Sequence, residues 1–417
     1  MYAQLPERSI ICIDMKCFYA SCVAMLDGID VMQVPIAVVS NFEQPGSVVL
    51  AASPPMKEKF NIKTGNRKYE IPNDARIRLF TPKMAFFVDL SLEIAKLIAE
   101  FVPKEAMHIY SIDEIFVDLT STKKLWGCPA KTARAIQQAI YDQFHILSAV
   151  GLGPNMLLAK LALDLEAKKT GFTAWTYADV KTKLWPVTPL STMWGIGKHL
   201  EQRLNRLGIH TVGDLAQTDV NRLHKKFGVI GDQLHAHAWG IDLSELNEPY
   251  FSPKISFSKG QVLLRDYTKK EAVETVILEM CEDVAKRLRD QHYAARTISL
   301  GVSYSKKVAT KGFYRSTTLQ LATGDTMDIY RACRQLFNRY GDALPVRKLT
   351  ISVSNVERNR SIQLDLFDMD RVKRLTLAKT VDQLRNRFGS TAILRAVSYT
   401  NAGTARKRSE LIGGHLA

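Results

Sequence analysis

The stretch Tyr110-Ser111-Ile112-Asp113-Glu114-Ile115-Phe116-Val117-Asp118-Leu119-Thr120 sets two adjacent carboxylates, Asp113 and Glu114, at the mouth of an alternating run. In an extended chain the side chains change face at every residue. Glu114, Phe116 and Asp118 therefore share one face, while Ile115, Val117 and Leu119 share the other, and the apolar face seeks a core. Two acids side by side repel each other unless a cation compensates them. On its own such a pair reads plainly as an acidic turn leading into a strand. A third acid argues for more: Ser9-Ile10-Ile11-Cys12-Ile13-Asp14 is a short Ile-rich run that reads as a buried strand, and Asp14 ends it. A carboxylate there is costly unless it is paired or bound to metal. If the two strands are neighbours, three carboxylates converge. Hard oxygen ligands of that kind suit Mg²⁺, and two such ions about 3.5–4 Å apart form a clamp for in-line attack on phosphorus.

A chain of 417 residues is too long for one core and suggests roughly two to four domains. Its formal charge of +15 favours a polyanionic partner such as nucleic acid, with an anionic membrane surface as the rival. No run approaches the roughly 18 apolar residues of a membrane span, and no signal-like segment precedes Asp14. A soluble, cytoplasmic protein is expected. None of the six cysteines forms a Cys-x-x-Cys pair, and the spacing of Cys12, Cys17 and Cys22 fits no common zinc pattern, so core side chains are expected. Residues 251–356 carry 18 Lys and Arg against 10 Asp and Glu, an excess of eight. Charge concentrated in that way suits a surface that tracks phosphates.

The segment Ile13-Asp14-Met15-Lys16-Cys17-Phe18-Tyr19-Ala20-Ser21-Cys22, followed about a hundred residues later by Tyr110-Ser111-Ile112-Asp113-Glu114, resembles the Y-family, or translesion, DNA polymerases, and among them the UmuC-like branch. The resemblance implies an α+β multidomain fold shaped as a right-hand polymerase. Its parts would be a ferredoxin-like palm (1–23 and 85–173), small fingers (24–84), a helical thumb with a helix-hairpin-helix (174–246) and a linker (247–252). An α/β little-finger domain (253–356) and a C-terminal tail (357–417) would follow. It also makes Asp14, Asp113 and Glu114 the ligands of two Mg²⁺, with the Met15 carbonyl as a further ligand and Ser111 and Asp118 as supports. Tyr19, beside Phe18, would lie under the sugar and exclude a ribose 2′-hydroxyl. The chain departs from the family at Lys16, where many relatives carry Asp, and at Val23, where Glu is usual.

The remaining motifs follow in order. Residues 36–52 read as two short strands around a polar turn. Ser53-Pro54-Pro55-Met56-Lys57 resembles the fingers segment, with the prolines as a small, stiff roof. Counting back from Ile62-Lys63-Thr64-Gly65 puts Glu58 on the cationic position, and a one-residue slip puts Lys57 there, which is taken as the triphosphate contact. Residues 85–101 and 131–148 read as amphipathic helices. Gly151-Leu152-Gly153-Pro154-Asn155-Met156-Leu157-Leu158-Ala159-Lys160 resembles the family's Gly-x-x-x-Asn-Lys-x-x-Ala-Lys motif, with Met156 in place of its first Lys and Lys160 left to meet the triphosphate. Gly195-Ile196-Gly197-Lys198 is a helix-hairpin-helix turn whose backbone N–H groups can hold a DNA phosphate. Strands at 255–264, 296–304, 312–321 and 347–356 should alternate with helices at about 268–290 and 324–340. Ser256, Ser258, Lys259 and Arg296 are candidate backbone contacts there. Gln363-Leu364-Asp365-Leu366-Phe367 resembles the bacterial sliding-clamp-binding pentapeptide, docking through Gln363, Leu364, Leu366 and Phe367, and a helix is expected at 371–388. Taken together these readings imply a low-fidelity, template-directed polymerase that adds dNTPs to a primer 3′-hydroxyl by two-metal catalysis and bypasses lesions. It would be nucleoid-associated and monomeric, with an accessory subunit as an open possibility. The runner-up is a non-catalytic DNA-binding repair accessory of the same fold. A nucleotide cyclase could share paired acids but would need neither a thumb nor a basic domain nor a clamp peptide.

Overall fold

Strand β1 (Ile10–Met15) becomes the centre of a sheet because nothing in it is polar before Asp14: Ile10, Ile11, Cys12 and Ile13 are wholly buried. The computed structural model describes residues 2–44, 46–246, 255–358 and 370–416. The expected linker at 247–252 and the pentapeptide at 363–367 lie outside the described residues. Two compact units divide the chain, one running to residue 249 and taking up 415–417, the other spanning 250–414.

In the first unit β1 is followed by β2 (Ile36–Val39), β3 (Val49–Ala52), β4 (Arg78–Phe80), β5 (Met107–Ile109), β6 (Glu114–Asp118), β7 (Ser148–Gly153) and β8 (Phe172–Ala174). The main sheet has the order β5-β6-β1-β7-β8, with β1 antiparallel to both β6 and β7. A second sheet, β3-β2-β4, contains the two strands expected at 36–52. Ile115, Val117 and Leu119 join Ile11, Ile13 and Met15 in a core with the helices Phe18–Leu26, Met84–Ile98 and Pro129–Phe144. The other face is covered as well. Ile10, Cys12 and Phe116 pack there with Ala159, Leu163 and Ala167.

Helix Met156–Ala162 lies close on the sheet because β7 offers glycines beneath it. A Cβ built on Gly151 would fall 2.1 Å from the Ala159 carbonyl oxygen, and one on Gly153 would fall 2.5 Å from the Ala159 nitrogen. Asn155 caps this helix by accepting from the Leu158 amide at 2.9 Å, and it donates to the Gly240 carbonyl at 2.8 Å. Helix Pro129–Phe144 stops short of the expected residue 148. His145 takes a left-handed conformation (φ 54°), and the apolar residues after it lead into β7.

Residues 190–238 form a helical module around Leu190, Met193, Ile196, Leu204, Val212 and Leu215, with helices Lys198–Asn205, Val212–Gln217, Val220–Phe227 and Val229–Ala238. The second unit is α+β. Strands β9 (Phe257–Tyr267), β10 (Tyr293–Tyr304), β11 (Gly312–Thr323) and β12 (Val346–Arg358) form an antiparallel sheet of order β11-β10-β12-β9. Helices Lys270–Asp290 and Thr326–Tyr340 cover one of its faces. Helix Arg371–Phe388 is tied to this unit by Arg289, whose guanidinium meets the Asp382 carboxylate at 2.6 and 3.0 Å with both side chains buried. Among the described residues no helix is long and apolar enough to cross a membrane.

Gly151→Ala is expected to destabilise the first unit by about 3 kcal/mol, because the added methyl meets backbone rather than a movable side chain. Denaturant unfolding measures this; stability equal to that of the parent chain would mean the helix can lift off the sheet freely.

Candidate active site

Strand register brings the acids together. Asp14 is paired across the β1–β6 ladder with Glu114, and residues directly opposite in an antiparallel pair project from the same face. Asp113 arrives from the turn before β6. Its carbonyl accepts the Met15 amide at 2.9 Å, and its carboxylate accepts the Ser111 hydroxyl at 2.7 Å. Burial pushes the Asp14 carboxyl above its ordinary value. The Lys168 ammonium opposes that rise, while the charges of Asp113 and Glu114 add to it.

Lysines occupy this acid cluster. Lys160 Nζ lies 2.6 Å from Glu114 Oε1, with the two side chains only 7% and 9% exposed. The buried Cys12 thiol donates to the same oxygen at 2.9 Å. Burial disfavours a charged Lys160, but the hydrogen bond and charge of Glu114 outweigh it, and the ammonium is held above its ordinary value. Asp164 then accepts Lys160 at 3.1 Å and Lys168 at 2.8 Å, and Lys168 reaches Asp14 Oδ2 at 3.1 Å. The result is a chain of alternating charge: Glu114, Lys160, Asp164, Lys168, Asp14. Counting Asp113, four carboxylates face two ammonium groups, a formal balance of −2. Cys12, Asp164 and Lys168 were not read from the sequence. The spacing Lys160-x₃-Asp164-x₃-Lys168 was the available signal, since oppositely charged residues four apart meet on a helix.

The donor set fits a hard divalent cation, since Asp14, Asp113, Glu114 and the Met15 carbonyl offer only oxygens. Among the described residues no three His, Cys, Asp or Glu side chains already stand as a metal cluster. Glu114 is turned to Lys160 and Asp14 to Lys168.

Tyr19 stacks on Phe87 with ring centroids 4.6 Å apart, and Phe18 is buried against the edge of the same ring. Burial raises the Tyr19 hydroxyl above its ordinary value, and the charge of Asp113 raises it further. Lys57, near the end of helix Pro54–Phe60, donates to the Cys17 sulfur at 3.2 Å and so comes to the end of β1. Gly195, Gly197 and Lys198 are exposed, and Gly195 needs its glycine because φ is 93°.

Asp118 and Lys259 depart from expectation. Asp118 does not support the acids: it sits four residues along β6 from Glu114, about 13 Å at the rise of a strand. It accepts the Thr120 amide at 2.8 Å instead. Lys259 points to the helical side of its sheet, where it meets Asp283 at 3.2 Å. Arg296 is engaged by the Gln320 carbonyl and by Glu357. Ser256 and Ser258 are exposed. Ser258 ends a row that crosses all four strands in register, Ser316–Ser299–Ser352–Ser258, on the face away from the helices. Gln363, Leu364, Leu366 and Phe367 lie outside the described residues.

Lys160→Met should cost about 3 kcal/mol of stability by leaving Glu114 buried and uncompensated, and adding Glu114→Gln should restore most of it. A double-mutant cycle by denaturant unfolding measures the coupling; additive losses would mean the pair is not an interacting unit.

Three family models match this chain. That of the impB/mucB/samB family covers residues 13–164, that of the impB/mucB/samB family C-terminal domain covers 254–366, and that of the IMS family HHH motif covers 177–209. The last takes in the Gly195–Gly197 turn. The chain is 50% identical over 416 residues to UvrX of Bacillus subtilis (strain 168), a protein named for UV-damage repair, with 99% of each chain covered. It is 36% identical to DNA polymerase IV 2 of the same organism, again over 99% of each. With DNA polymerase IV of Pelotomaculum thermopropionicum it shares 35% identity over 96% of this chain and 97% of the relative. These matches and the acids at the head of the central strands together identify the chain as a member of the impB/mucB/samB family, the Y-family of DNA polymerases.

Proposed function

We propose that this protein is a template-directed DNA polymerase of low fidelity that extends a primer 3′-hydroxyl with dNTPs across damaged template. The observation that carries the reading is the Asp14–Glu114 pairing with Asp113 beside it at the end of the central strands. In this reading the five-stranded sheet is the palm, the β3-β2-β4 sheet with helix Pro54–Phe60 is the fingers, the helical module is the thumb, and the second unit is the little finger. Relatives named DNA polymerase IV support it.

Asp14, Asp113, Glu114 and the Met15 carbonyl would hold two Mg²⁺. Such a pair supplies a more acidic primer hydroxyl and charge stabilisation for the departing pyrophosphate. Lys57, whose ammonium reaches the Cys17 sulfur beyond the end of β1, would neutralise triphosphate oxygens. Lys160 would do the same once a competing cation takes its place on Glu114. The Tyr19 ring, fixed by its stack on Phe87, would occupy the space a 2′-hydroxyl needs. Ser111 orients Asp113 through its hydrogen bond. Backbone amides at Gly195 and Gly197, with Lys198, would hold a DNA phosphate without reading sequence. Ser256, Ser258 and the exposed Ser316 would offer hydroxyls to a second stretch of phosphates, and the excess of eight positive charges over 251–356 would add a salt-dependent hold. The 363–367 segment would dock on the sliding clamp.

Primer extension with Mg²⁺ and dNTPs, on undamaged and abasic templates, tests the reading. Wild-type protein should extend both primers, and Asp113→Ala should lose roughly 10²–10³-fold or more in rate while still binding DNA. DNA binding by the wild type without extension would favour the non-catalytic accessory role. Full activity in Asp113→Ala would remove that acid from the site. Tyr19→Ala should admit ribonucleotides that the parent refuses, read from the same gels with rNTPs; unchanged discrimination would free Tyr19 from that role.

A further inference from the structure

Lys168 differs from Lys160 in one decisive respect. Both are cations of the acid chain, but the Lys160 side chain is 7% exposed and that of Lys168 is 43% exposed. Lys160 is enclosed with its partner, whereas Lys168 lies over the same acids with an open path to water. Its Nζ is 3.1 Å from Asp14 Oδ2 and 2.8 Å from Asp164 Oδ1, and Asp14 itself is only 17% exposed.

The backbone is built to bring Lys168 there. Helix Met156–Ala162 passes into a π-helical turn, Leu163–Ala167, before the short helix Lys168–Thr170. In an uninterrupted α-helix residues four apart drift by about 40° around the axis, so a third residue in the series, eight along, leaves the face of the first. The wider π turn takes more residues per revolution and reverses part of that drift. Lys160, Asp164 and Lys168 therefore keep to one side, facing Glu114 and Asp14.

We infer that Lys168 is a positioning residue, the resident counter-cation of Asp14, tethered by Asp164 and competing with divalent metal for that carboxylate. The inference rests on the proposed role of Asp14 as a metal ligand. The ammonium compensates a desolvated acid while no metal is bound, and yields to water when a divalent ion arrives, since its side chain is already 43% open to solvent. With Lys168 in place the cluster stands at −2; without it the same acids stand at −3. Removing the lysine thus strips compensation from the metal-free protein and, at once, strengthens the site's attraction for a divalent cation. A side chain serving only as packing would do the first without the second.

The experiment uses the full-length protein, free of DNA and nucleotide, as wild type, Lys168→Met and Lys168→Arg. Thermal unfolding is followed in EDTA and then across a Ca²⁺ titration, which reads binding without turnover. Lys168→Met should melt about 2–4 °C below the wild type in EDTA. Its half-saturating Ca²⁺ should fall about threefold or more, the scale of one partly screened charge near the ion. Lys168→Arg should keep both values near those of the wild type. An unchanged melting temperature and half-saturation in Lys168→Met would overturn the inference, as would weaker Ca²⁺ binding. If wild type still bound Ca²⁺ and extended primers, the polymerase reading would survive that failure. Should neither protein respond to Ca²⁺, the competition would fall and the metal site proposed above would fall with it.

Discussion

Desolvated charge at the end of β1 is the constraint around which the first unit is arranged. Asp14 and Glu114 are set opposite each other by strand register, in a place where water is largely excluded. Such a pair folds only if cations are brought to it. The chain brings two, both from one helical stretch 46 residues beyond Glu114, and binds them to each other through Asp164. The acid that compensates the lysines is as much a part of the arrangement as the acids the lysines compensate.

That helical stretch has to lie close enough to reach the acids, and small residues allow it. Gly151 and Gly153 in β7 leave no Cβ to hold the helix off, and Ala159, facing them, keeps its own side small. Asn155 fixes the helix start and joins it to the Gly240 carbonyl, so the far end of the helical module is anchored at the same point. Trp194, one residue before the hairpin glycine, lays its ring near Phe116 and Tyr110, on either side of the acid pair in the chain. Strand, helix and hairpin thus meet around one small volume.

Much of this was legible because it is local. The alternation Ile115, Val117, Leu119 marked a buried face, Ile10–Ile13 marked a central strand, and the long helices of the second unit carry plain apolar periodicity. What stayed illegible depends on distant partners or on phase. Nothing in the residues around Lys160 says that it will close on Glu114. The π turn that carries Lys168 back to the acids has no sequence signature comparable to a cap or a glycine. Lys259 stands next to Ser258, and one step along a strand is the whole difference between the open face and the helical face. Asp118 sits near Glu114 in sequence, yet four residues of extended chain are too long for it to reach the site. His145 took a left-handed turn that apolar spacing alone would carry through.

The serine row of the second unit has a consequence for how the protein can change over generations. Its outermost members, Ser258 and Ser316, stand on exposed positions, where substitutions usually shift stability by no more than about 0.5 kcal/mol. The apolar residues that hold the sheet together, such as Ile298, Leu300, Ile351 and Val353, all project from the opposite face. Lineages can therefore rewrite these exposed positions one at a time without loosening the interior, through intermediates that all still fold.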